Sequence, residues 1–150
     1  MSPISPTVEC ITTDASTILV AYGVQGNNLT VAAFEQLIDQ FDIIVPAETR
    51  KGVRDNHTNL WENRDLDRIA VRNKNAALRK AEGQLIASAS ASEGFLLDPQ
   101  IRPRITLIAL AKLTGATVVS DDAGSARITV SSLCARFGVP FVKWSDWVNK

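Results

Sequence analysis

At 150 residues the chain is long enough for one domain, residues 1–150, that buries roughly 70% of its unfolded surface. Sixteen basic and sixteen acidic side chains cancel, which excludes a global electrostatic pull toward nucleic acid or an anionic membrane. No apolar run approaches ~18 residues and no basic-then-apolar leader opens the chain, so a cytoplasmic protein with no membrane partner is expected.

Cys10 and Cys134 each lie in an apolar segment and read as reduced, buried thiols. His57 is the only histidine, expected in a surface loop, which argues against His-rich zinc sites and Ser-His or Cys-His catalysis.

Residues 1–7, with Pro3 and Pro6, read as a loose lead-in. Val8 to Thr13 predicts a strand ending at Asp14, followed by a short helix over Ala15–Tyr22 with Asp14 near its N-cap. Val31, Phe34, Leu37, Ile38 and Phe41 recur at helical spacing across Leu29–Phe41. Asp42–Pro46 is apolar enough for a strand buried on both faces, and a helix follows from Ala47. Residues 55–63 read as a polar loop anchored by Trp61.

Arg64 to about Ala87 predicts the longest helix, with Leu66, Ile69, Ala70, Ala77 and Ala81 on one side. Arg64, Arg68, Arg72 and Arg79 then fall within about 80° of one another on the opposite side. Ser88–Gly94 reads as a flexible loop, and Ile101–Thr114 as a second strong helix closed by Gly115. Thr117-Val118-Val119-Ser120 predicts a buried strand that delivers Asp121 and Asp122 onto a loop. A helix over Ile128–Phe137, a last strand over Val139–Trp144 and a turn capped by Ser145 complete the chain. Strands separated by helices predict right-handed crossovers and an α/β fold with a mainly parallel sheet.

In such a sheet, ligands bind beyond the carboxyl ends of the strands, where Asp14, Asp121 and Asp122 would meet. Oxygen-ligated Mg or Mn needs only a few carboxylates and activates water for phosphodiester hydrolysis. Each acid also has an ordinary reading: Asp14 as a helix N-cap, Asp121-Asp122-Ala123-Gly124 as a turn, Glu48 as a first-turn acid favoured by the helix dipole. The absence of a GxGxxG or glycine-lysine phosphate loop counts against a nucleotide-binding domain.

Thr13-Asp14-Ala15-Ser16-Thr17-Ile18-Leu19, Ile43-Ile44-Val45-Pro46 and the run from Ala109 to Asp122 resemble the PIN domains, as does Ile128–Val142 with Leu133-Cys134-Ala135-Arg136-Phe137-Gly138-Val139-Pro140. The resemblance implies a three-layer α/β/α sandwich and, in active members, Mg- or Mn-dependent RNA cleavage, often by a toxin paired with an antitoxin. It implies Asp14, Asp121 and Asp122 as metal ligands and, with Glu48, as catalytic residues. Two positions depart from the pattern: Gly52 stands where active members carry a Glu, and Arg104 where they carry an Asp. Asp98 would substitute only if its loop folds back.

The partners this implies are RNA, an antitoxin or other protein, and a second copy of the chain. The arginine row Arg64, Arg68 and Arg72 would track an RNA backbone, with Arg50, Lys51 and Arg54 extending it, although an amphipathic helix places charge there in any case. Ser16 and Thr17 would orient Asp14 or a bound water, and Trp144 and Trp147 read as core or dimer contacts. The leading reading is a PIN-like ribonuclease; the alternative is a catalytically degenerate PIN-like protein- or RNA-binding module.

Overall fold

The computed structural model describes residues 2–23 and 26–150. Met1, within the predicted lead-in, lies outside the described residues. The strands are β1 (Cys10–Thr12), β2 (Asp42–Pro46), β3 (Ala70–Arg72), β4 (Thr117–Ser120) and β5 (Phe141–Lys143). The helices are α1 (Ala15–Tyr22), α2 (Asn28–Gln40), α3 (Ala47–Asn56), α4 (Leu60–Asn63), α5 (Ala76–Ala87), α6 (Arg102–Thr114), α7 (Val130–Phe137) and α8 (Trp144–Val148).

All strand pairings are parallel, in the order β3-β2-β1-β4-β5. The order reverses at β1, so the crevice beside it, between the ends of β1 and β4, is where such a sheet takes a ligand. Alternation along the strands divides the interior in two. Ile11, Ile43, Val45 and Val119 face a core built with α1, α2, α3, α4 and α8. Val118 and Ile44 face the other, built with α5, α6 and α7. The result is the three-layer α/β/α sandwich expected of the sequence.

The helix ends follow local chemistry. Gly115 and Gly138 close α6 and α7 at φ 71° and 70°, a conformation that only glycine adopts without strain. Trp61 and Trp147 are fully buried, and each indole N–H finds an acceptor, in Asp67 Oδ1 (3.0 Å) and the Ala33 carbonyl (2.8 Å). Trp144 is also core. Cys10 is half-buried and Cys134 buried, both free thiols, and burial pushes Cys134 up to about 12.

Four expectations are corrected. The long helix over Arg64–Ala87 is instead the end of α4, a 3-10 turn, the edge strand β3 and then α5. Asp65 at φ 54° interrupts any continuous helix, and Asn75 caps α5 by accepting from the Leu78 N–H at 2.9 Å. The lead-in is anchored, because Ile4 is buried in the first core. Residues 91–97 form 3-10 turns rather than a free loop, held by the buried carboxylate of Glu93. Finally, α8 begins at Trp144 rather than behind a Ser145 cap.

Candidate functional site

The site grows from Asp14. Extended backbone at this residue ends β1 and begins α1, and Oδ1 accepts the Thr17 N–H at 3.2 Å, so its N-cap role is real. The Thr17 hydroxyl also donates to Oδ1, and the Ser120 hydroxyl donates to Oδ2 at 2.8 Å. Those hydroxyls in turn accept backbone N–H groups of the loop after β4, Asp121 N to Thr17 Oγ1 (3.0 Å) and Asp122 N to Ser120 Oγ (3.0 Å). Two hydroxyls thus relay the loop's donors onto the two oxygens of one carboxylate. Burial nevertheless pushes the Asp14 carboxyl above its ordinary range; the Thr17 and Ser120 bonds offset part of this, and the Asp121 charge adds to it.

Asp121 and Asp122 leave the end of β4 on the same edge. Asp121 Oδ1 accepts the Ser16 hydroxyl at 2.7 Å. Asp122 Oδ2 accepts Arg104 Nε at 2.9 Å and the N–H of Val130, the first residue of α7, at 3.1 Å. Asp122 is therefore both an ion-pair partner and a cap for a helix N-terminus. Asp14, Asp121 and Asp122 line one open cleft of about 450 Å³, together with Ser16, Gln100 and Arg104.

Glu48 lies in the first turn of α3, apart from that cleft. It shares a smaller cavity of about 80 Å³ with Asp14, Thr49 and Arg104. Its Oε1 is 3.6 Å from Lys74 Nζ, which also reaches buried Glu82 at 3.1 Å. Its Oε2 is buried and has no hydrogen-bond partner. Asp98 is exposed and caps the next turn, accepting the Gln100 N–H at 2.9 Å, so it does not fold back into the cleft.

Both departures from the family pattern are physically occupied. A Cβ on Gly52 would lie 2.7 Å from the Cβ of Ala15, below any normal contact, so α1 and α3 meet there and no acid could be accommodated without displacing them. Position 104 carries a cation already paired to Asp122. Among the described residues, no group of three or more His, Cys, Asp or Glu side chains is disposed to hold a metal ion. Three of the roughly four acceptor positions of Asp14 are taken internally, from the bonds above. As arranged, the residues do not fit Mg or Mn.

The arginine row does not survive as a helical stripe. Arg64 ends α4 with its guanidinium 5.3 Å from the centroid of the Tyr22 ring. Arg68 pairs with Asp39 at 2.5 Å, and Arg72 ends the edge strand. They belong to three elements, so their sequence periodicity had no structural meaning. Lys51 and Arg54 are paired with Asp55 and Glu62. The sequence reading missed Ser120 and Lys74. Ser120 ends β4 immediately before the two acids, a signal available in the sequence; Lys74 carries none.

Fold and site together define a PIN-like α/β/α sandwich with an acidic strand edge. The chain is similar to one in the crystal structure of VapBC2 from Rickettsia felis bound to a DNA fragment from their promoter, with a TM-score of 0.62 and 11% identity over 90% of this chain and 98% of that one. At that identity the likeness shows the fold. No protein-family model matches the sequence, and no curated protein matches it. No helix among the described residues is long and apolar enough to cross a membrane.

Proposed function

We propose that this chain is a PIN-like binding subunit of a two-protein, toxin–antitoxin-type pair, whose acidic edge no longer supports metal-dependent cleavage. The observation that carries this is the Arg104–Asp122 ion pair inside the acidic cleft. A positive side chain there neutralises Asp122, one of the acids lining the cleft with Asp14, and opposes entry of a divalent cation. The contact between Gly52 and Ala15 points the same way, since it bars a further acid from α3. The similar chain, matched over 98% of its length, comes from a structure of VapBC2, and together with the PIN resemblance this supports a protein partner of the antitoxin kind.

A second reading, a ribonuclease in which Asp14, Asp121 and Asp122 hold Mg or Mn and Glu48 assists, has one observation in its favour. The Oε2 of Glu48 is buried without a hydrogen-bond partner, and the residue lines a cavity together with Asp14. RNA would then be the substrate, with Arg64, Arg68 and Arg72 as candidate backbone contacts. Incubation of purified protein with structured RNA and Mn²⁺ separates the readings. The binding-subunit reading expects intact RNA and a stoichiometric protein recovered in pull-downs. Mn²⁺-dependent cleavage that disappears in Asp14→Asn overturns it.

A further inference from the structure

The chain is neutral as a whole but not evenly so. Residues 1–68 carry ten acids against five Lys and Arg, whereas residues 69–150 carry six against eleven. Part of that positive excess lies on the second helical layer: α5 carries Arg79 and Lys80, α6 carries Arg102, Arg104 and Lys112, and α7 carries Arg136. The only acid of these three helices, Glu82, is buried against Lys74 and the Thr106 hydroxyl. Arg104 and Arg136 pair with Asp122 and Glu93; none of the other four enters an ion pair among the described residues. Two cavities open on this layer, of about 490 and 180 Å³, and no carboxylate lines either. Leu85 and Phe137 line the larger, Leu78 and Leu110 the smaller, and Leu113, common to both, is 47% exposed. Lys112 stands at the larger cavity, and its Nζ donates to the Phe137 carbonyl at 2.9 Å, which engages one of its three N–H groups.

We propose that this face docks an acidic amphipathic segment of a partner protein, with its apolar side chains in the two cavities beside Leu113 and its carboxylates against Lys112. This rests on the binding-subunit reading and gives its partner a chemistry and a place. Leucines flanked by unpaired cations match a helix that carries an apolar stripe bordered by acids. A nucleic-acid backbone would find the cations, but it offers nothing apolar to fill cavities floored by Leu78, Leu85 and Leu110. Pairing of this face with its own copy would set like charges against one another. Lys112 also complements the C-terminus of α7, but that role leaves the lack of any exposed acid on three neighbouring helices without a reason. The Phe137 carbonyl holds the Lys112 ammonium in place, which lowers the ordering cost of engaging it.

The test titrates the full chain with a synthetic helical peptide bearing Leu along one face and Glu along the other, and with its counterpart in which each Glu is Lys. Amide NMR reads where each peptide binds, and fluorescence anisotropy reads how tightly. The Glu peptide should shift the Leu85, Leu113 and Phe137 amides and should bind more weakly as salt rises. Leu113→Asp and Lys112→Glu, each first shown to be folded by circular dichroism, should bind it at least about tenfold less tightly. Because Lys112→Glu also removes the contact to the Phe137 carbonyl, Leu113→Asp is the variant that decides. Equal binding of the Lys peptide, unchanged affinity in Leu113→Asp, or no binding of the Glu peptide at these amides overturns the docking face. An RNA oligonucleotide that shifts the Leu113 amide where the Glu peptide does not also overturns it, as does a wild-type dimer in sedimentation that Leu113→Asp dissociates. Mn²⁺-dependent RNA cleavage by wild type, read in a separate assay, overturns the binding-subunit reading itself.

Discussion

Asp14 is held by three internal hydrogen bonds and yet destabilised by its own charge, because burial outweighs the bonds. A carboxyl whose folded value lies above its ordinary 3.8 makes the folded state the better proton binder, so its penalty grows as pH rises through that window and persists above it. Asn keeps an oxygen for the Thr17 N–H and removes the charge, with the Ser120 hydroxyl turning to accept from the amide. Asp14→Asn should therefore raise the melting temperature at pH 7, and the gain should vanish below pH 3.8, as thermal melts across that range would show. Two glycines separate close approach from simple flexibility. Gly52→Ala should cost about 1–3 kcal/mol in urea unfolding, since the methyl meets the Ala15 Cβ at the α1–α3 contact. Gly83→Ala, in the interior of α5 with open space around its missing Cβ, should instead stabilise by about 0.5–1 kcal/mol.

Among the elements, the 3-10 segment over 91–97 shows how one charge organises a stretch that reads as loop. Glu93 is buried, accepts the Ser90 N–H at 3.0 Å, and is bound by Arg136 of α7 at 2.8 Å. The Arg136 guanidinium holds the Glu93 carboxyl down at about 2. This stabilisation is complete above the ordinary carboxylate value of 4.5 and is lost as pH falls toward 2. Arg136→Met should accordingly lower the melting point markedly at pH 7, with the difference from wild type narrowing below pH 4.5 and closing as pH falls through about 2. The edge strand β3 makes the complementary point. It has three residues, and only its pairing with Ile44, Val45 and Pro46 of β2 makes it a strand. The Ile69-Ala70-Val71 run that leads into it resembles helical spacing as closely as strand alternation, and nothing local resolves the two.

At the scale of the molecule, β1 is central, paired on both sides and covered by both helical layers, whereas β3 has one neighbour and exposed ends. Opening of the edge need not disturb either core, while opening of β1 exposes both. Native-state hydrogen exchange should find the Ile11 and Val118 amides exchanging only with global unfolding, and Val71 through a lower-energy local opening. Equal protection of the two sets would show that the sheet opens as one unit.

Most elements follow from the sequence alone because their signals are local. The apolar runs of β2 and β4, the cap at Asp14, and the glycines after α6 and α7 each carry their own chemistry. Convergence of Asp14, Asp121 and Asp122 on one edge was legible too, since parallel strands leave their carboxyl ends together. Tertiary structure alone decided the rest. That Gly52 touches Ala15, that Arg104 pairs with Asp122, and that Glu48 falls into a separate cavity are contacts between residues distant along the chain. Sequence spacing places acids at an edge; packing across that edge determines whether they face one another or an arginine.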